Sequence, residues 1–205
     1  AAFGVSDSLK YLLSSLLPFP VLYITADGIS AQKAAENARS LSGKPTAVLA
    51  AKDEVLFYRK ALSKDSLYKR LNGIHALQNG CPFVVAEIDA LLQIFPKNLP
   101  TIELVEGEEI DFFSLPEQLV KLGYTRSFEV ESKGSFALRG DILDIFPINE
   151  ENPVRIDFFG DTVEKIKPYD LATGDRLPSK KQQTILSATD VIIGDEEEIF
   201  LAKTL

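Results

Sequence analysis

Histidine and cysteine are nearly absent: the 205 residues hold one of each, His75 and Cys81, and contain no methionine or tryptophan. One cysteine excludes an internal disulfide. One cysteine with one histidine cannot build a Cys/His metal cluster, so both read as packing residues. Long apolar runs are missing too. No stretch approaches the roughly 18 to 20 residues that cross a bilayer, and the start lacks the basic-then-apolar layout of a secretory signal, which points to a cytoplasmic protein. Cations are in deficit, 22 Lys and Arg against 30 Asp and Glu, for a formal charge of −8. That balance opposes broad, unaided binding to nucleic acid, whose phosphates call for a surplus of Lys and Arg on one face, and favours a protein partner. The absence of an initiating methionine, and an apparent helix still running at "EEEIFLAKTL", suggest a piece of a longer protein.

What is present is enough apolar residue, 45%, to bury one or two cores. Up to about residue 110, short apolar runs alternate with helical patterns, as in a parallel sheet flanked by helices. "PVLYITAD" (20–27), "PTAVLAA" (45–51) and "PFVVAEID" (82–89) read as buried strands. "ISAQKAAENARSLS" and "KDSLYKRLNGIHALQNG" read as helices, the second with Leu67, Leu71, Ile74 and Leu77 on one stripe and Gly80 past its end. "ALLQIFP" gives a short helix closed by Pro96. After an acidic loop and one more helix in "LVEGEEIDFFSLPEQLVKLGY", the pattern from Phe128 turns to strands with tight turns. "GSFALRGDILDIFP" reads as a strand interrupted near Gly140, and "PVRIDFFGDTVEKIKPYD" as a hairpin turning at Gly160-Asp161. The expected architecture is an α/β domain of nucleotide-binding type over 1–110, followed by a small β-rich α+β domain over 111–190.

The opening "FGVSDSLKYLL" half-matches a phosphate-binding loop, G-x-x-x-x-G-K-[ST]. Gly4 and Lys10 fit. Leu9 stands where a second glycine lets the backbone curl around the phosphates, and Tyr11 stands where a short hydroxyl would ligate magnesium. A working site would also need an acidic strand end to hold the metal; "VVAEIDALL" offers Glu87 and Asp89, but a carboxylate near a strand end is commonplace. The plainer reading is a helix capped by Ser6 or Asp7, running through Leu9, Leu12, Leu13 and Leu16. The loop is degenerate, and neither a cofactor nor catalysis is expected of it.

"KLGYTRSFEVESKGSFALRGDILDIFPINEENPVRIDFFGDTVEKIKPYD" resembles a stretch shared by the excision-repair protein UvrB and the transcription-repair coupling factors. Both carry a GY-x-R segment, a G-x-F-x-x-RG run ending in FP, and a P-x-R-x-[DE]-FF hairpin. The likeness is strong from Leu119 to Asp170 and weaker before it. An intact phosphate loop and a long Tyr-rich hairpin after the second strand would mark UvrB. This chain instead has "AAKDEVLFYRKALSKDSLYKRLNGIHAL", with Tyr58 and Tyr68 well separated, so the resemblance favours the coupling factors. It implies a UvrB-like module without a working nucleotide site, whose small inserted domain docks UvrA for nucleotide excision repair, and whose segment 191–205 returns to the first domain. It further implies a longer parent that is an ATP-driven DNA translocase, contacts stalled RNA polymerase, and masks the UvrA-binding face by intramolecular contacts.

Carried over position by position, the arginines of the UvrA contact fall on Arg126 and Arg139. UvrB has another arginine where this chain has Ala137. Arginine suits such a role because its planar fork matches carboxylates and it is frequent among interface hot spots. Read from residue chemistry alone, Arg139 could instead pair with Asp141 or Asp144, and Arg126 with Glu129. Phe136, Phe146, Phe158 and Phe159 form an aromatic series, mostly core, in which adjacent Phe158 and Phe159 point to opposite faces of a strand. Phe146 and Phe159 join the two arginines as candidate partner contacts. An ATP-dependent UvrB-like helicase using Lys10 and a DNA-binding module are the alternative functions.

Overall fold

The computed structural model describes residues 10–11, 13, 16–18, 20–52, 64–96 and 98–190. The expected cap at Ser6 or Asp7, the Tyr58 region and the segment 191–205 lie outside them. The chain divides into two compact units, 1–98 and 99–205. The sequence pattern placed that change later, near residue 110.

In the first unit, β1 (Val21–Thr25), β2 (Thr46–Leu49) and β3 (Phe83–Glu87) form a parallel sheet in the order β1-β3-β2. Helix α1 (Gly28–Ser42) starts at Asp27, whose carboxylate accepts from the Ser30 backbone N–H at 2.7 Å and from its hydroxyl at 2.9 Å. It stops at Gly43, whose left-handed backbone donates its N–H to the Arg39 carbonyl at 2.9 Å. Small side chains make α1 fit the sheet: Ala31, Ala34, Ala35 and Ala38 pack with Phe83, Val85 and Tyr11. Helix α2 (Lys64–Gln78) approaches β2 so closely at Gly73 that a Cβ there would lie 2.2 Å from the Val48 carbonyl oxygen. Leu71 and Ile74 face the core as their spacing predicts, but Leu77 is exposed. The buried side of α2 instead includes Arg70, which donates to the carbonyls of Ala50 at 2.9 Å and Ile94 at 3.2 Å and lies over the Phe95 ring. A short helix α3 (Ile88–Leu91) follows β3 directly.

The second unit opens with β4 (Thr101–Val105), which pairs antiparallel with β10 (Gln182–Leu186), and continues through helix α4 (Leu115–Lys121). A five-stranded sheet then runs in sequence order: β5 (Thr125–Arg126), β6 (Ser135–Arg139), β7 (Ile142–Ile145), β8 (Val154–Phe159) and β9 (Thr162–Pro168). Gly140 does more than interrupt a strand. With Asp141 it reverses the chain, so that β6 and β7 form an antiparallel hairpin like that of β8 and β9, and both turns carry Gly-Asp with positive φ at the glycine. Gly123 needs its positive φ of 85°, and a Cβ there would lie 2.9 Å from Thr189 Cβ. The next residue, Tyr124, buries its ring and uses its hydroxyl twice, donating to the Leu186 carbonyl at 3.0 Å and accepting from the Ile148 N–H at 3.2 Å. The GY pair thus ties the β4–β10 ribbon to the sheet, immediately before Arg126.

Candidate functional site

In the first unit, the degenerate loop's Tyr11 is a core residue. It is 8% exposed, with its ring 5.4 Å from that of Tyr23. Lys10 sets its ammonium over that same ring, 5.4 Å from the centre. Gly4 and Leu9 lie outside the described residues. Glu87 accepts from the Ala51 backbone N–H and so ties the end of β2 to β3, while Asp89 lies in the first turn of α3. An open groove of about 940 Å³ between α1 and α2 mixes Lys33, Arg39 and Lys69 with Glu36 and Glu87.

The second unit's sheet has two unlike faces, and strand register sorts its residues between them. Phe136, Ile145, Val154 and Pro168 are paired across one face, beside Leu143, Ile156 and Ile166. All are buried, and they form the core. Alternation puts Ala137, Asp144, Arg155 and Lys167 in one row of the opposite face, and Arg139, Ile142, Asp157 and Lys165 in the next. Charge pairs cross this second face. Arg155 grips Asp144 with Nε on Oδ1 at 2.7 Å and Nη2 on Oδ2 at 2.8 Å, and Lys167 bonds Asp157. The hydrogen bond to Asp144 holds the Arg155 guanidinium above its ordinary pKa, against the opposing effect of its own burial. Burial first, and then the Asp144 charge, push the Tyr169 phenol up as well.

Arg139 stands at the edge of this face. Its Nη2 donates to Glu129 Oε1 at 3.1 Å and to the Phe128 carbonyl at 3.2 Å, and its guanidinium lies 5.4 Å from the centre of the Phe128 ring. Its partner is therefore Glu129, not Asp141 or Asp144, since Asp144 is held by Arg155. Arg126 is exposed, and among the described residues it enters no ion pair. Because it sits opposite Phe136 in the register, it projects from the other side of the sheet to Arg139. The two arginines share a sheet but not a face.

The two candidate phenylalanines differ. Phe159 is 77% exposed at the end of β8, whereas its neighbour Phe158 is buried against Phe112 with ring centres 4.7 Å apart. Phe146 is 7% exposed and packs with Val130 and Ala137, so its ring belongs to the interior. Ala137 is itself 1% exposed in that cluster, and an arginine there could not be seated without reopening it. In the sequence, Phe128, 86% exposed, only marks where the strand pattern begins, and Arg155 is only the arginine of the P-x-R-x-[DE]-FF hairpin; neither is a candidate contact there. Alternation along "VRIDFF" carries the signal for Arg155, an outward position beside inward Val154 and Ile156.

The comparisons with known proteins report what each part of the chain is similar to. The family described as the UvrB interaction domain matches residues 102–190, which is nearly all of the described part of the second unit. Residues 102–190, less than half of the chain, are similar to a UvrB interaction domain. Over 97% of its length, the chain is similar to the transcription-repair-coupling factor of Bacillus subtilis, at 31% identity. It is similar over 90% of its length to that of Myxococcus xanthus, at 30% identity. UvrABC system protein B of Clostridium botulinum matches at 40% identity but over only 43% of the chain. The resemblance to the coupling factors therefore extends through both units, while that to UvrB is partial. The chain spans 17% and 16% of the lengths of the two coupling factors.

Proposed function

We propose that this chain is the recruiting part of a longer transcription-repair coupling factor, and that it holds UvrA through the UvrB interaction domain during transcription-coupled nucleotide excision repair. The observation that carries this reading is the match of that domain to residues 102–190, the segment that presents Arg126, Arg139 and Phe159 at its surface. Arginine forks and an exposed aromatic are the side chains that protein interfaces favour.

The role is binding rather than catalysis. The tyrosine in the magnesium-ligand position of the loop is packed in a core, and its lysine is stacked on that tyrosine. ATP-driven movement on DNA and contact with stalled RNA polymerase belong to other segments of the longer protein, which acts in the cytoplasm. There, intramolecular contacts mask the UvrA-binding face until the motor engages. A longer protein that binds UvrA as tightly as the 205-residue chain does would contradict this masking.

The test is co-elution of the purified chain with UvrA on a sizing column, run beside a nucleotide-binding assay on the chain alone. The reading predicts a stable complex and no nucleotide binding. A chain that binds ATP and leaves UvrA free would favour a UvrB-like motor fragment instead.

A further inference from the structure

Arg139 is an exposed arginine already engaged within its own chain. The Phe128 carbonyl and Glu129 Oε1 both take hydrogens from Nη2. That nitrogen is common to both forked edges of a guanidinium, since the side edge joins it to Nε and the end edge joins it to Nη1. Arg155 shows the side edge in use, with Nε and Nη2 on the two oxygens of Asp144. At Arg139 both Nη2 hydrogens are occupied, so a two-point bond to a carboxylate on another protein requires one internal acceptor to withdraw. The Phe128 carbonyl is fixed in the backbone. Glu129 is not: its side chain is 63% exposed, and its pair with Arg139 is screened by water.

We propose that Glu129 is an internal competitor for Arg139, displaced when a partner carboxylate docks, and that Phe128 is a contact residue beside it. The inference rests on the UvrA reading above and specifies the chemistry UvrA must present here: a carboxylate against the Arg139 fork and an apolar side chain against the Phe128 ring. Phe128 suits that place because 86% of its surface is uncovered while Arg139 lies over its ring. Docking removes this aromatic surface from water and leaves the cation stacked on it. Glu129 also sets a negative charge where the incoming carboxylate must arrive, so it opposes binding twice.

The experiment is calorimetric titration of the 205-residue chain with UvrA, using wild type, Glu129→Gln, Glu131→Gln and Phe128→Ala, each checked by thermal melting for an unchanged fold. Glu131 is an exposed neighbouring acid and controls for net charge. The expected results are binding about two- to fivefold tighter for Glu129→Gln, as the small worth of an exposed pair implies, no change for Glu131→Gln, and binding about tenfold weaker for Phe128→Ala. If wild type binds but Glu129→Gln binds no tighter, or Glu131→Gln tightens it equally, the competition is overturned and the UvrA reading stands. Unchanged binding by Phe128→Ala overturns the contact role. Failure of wild type to bind overturns the UvrA reading together with this inference.

Discussion

Asp144 is nearly enclosed, with 7% of its side chain exposed, and Arg155 on the adjacent strand covers it with a two-point hydrogen bond while remaining 45% exposed itself. The pair is asymmetric: the carboxylate depends on the arginine more than the reverse. Replacing Arg155 with Ala leaves a buried carboxylate short of donors, which costs about 1–3 kcal/mol. Replacing both residues with Ala costs less than the single change, because no charge is then left unpaired. Urea denaturation of the three proteins checks the order.

Tyr124→Phe removes the hydroxyl that donates to the buried Leu186 carbonyl and accepts from the Ile148 N–H. The expected loss is about 1–3 kcal/mol. Amide exchange should accelerate first along β10, whose end the hydroxyl fastens. Unchanged exchange there would show that the tie is dispensable.

Much of this fold was legible in the sequence because its signals are local. The apolar runs of β1, β2 and β3 and the alternation of "VRIDFF" depend on neighbours, and so does the contrast between Phe158 and Phe159. What escaped depends on distant partners. β4 sits in a stretch whose next residues are acidic, and it becomes a strand by pairing with β10, about eighty residues on, as Glu103 with Thr184 shows. Arg139 has acidic residues two and five positions away, yet it bonds one ten positions back, because the chain folds β5 alongside β6 and brings Glu129 to it. Strand spacing makes most of the aromatic series core without saying which members, and the packing of Phe146 with Val130 and Ala137, both distant from it in sequence, places its ring inside.

Gly73→Ala tests the contact between α2 and β2. Alanine is the better helix former, so propensity alone predicts a gain of about 1 kcal/mol. The new Cβ would instead meet a backbone oxygen at 2.2 Å, and that oxygen cannot rotate away. The helix has to shift, and a net loss of about 1–3 kcal/mol is expected. A melting temperature at or above that of wild type would contradict the close approach.

Asp27 carries the pH dependence of the first helix. Hydrogen bonds from Ser30, its backbone N–H first and its hydroxyl second, hold the Asp27 carboxyl below its ordinary value. Its folded pKa is lower than its unfolded one, so the cap contributes fully above about pH 4 and is lost as pH falls through the folded value. In an NMR titration, the Asp27 carboxyl should have a midpoint below the ordinary aspartate range, with the Ser30 amide signal moving in step. A midpoint at or above that range would show that the cap is not formed in solution.

The most direct test of recruitment is calorimetric titration of UvrA with the wild-type chain and with the Arg126→Glu, Arg139→Glu double variant. Both side chains are at the surface, so the variant should melt as wild type does. Recruitment predicts a saturable one-site isotherm for wild type and loss of measurable binding for the variant. Equal binding by the two proteins would place the UvrA contact away from these arginines and contradict the assignment.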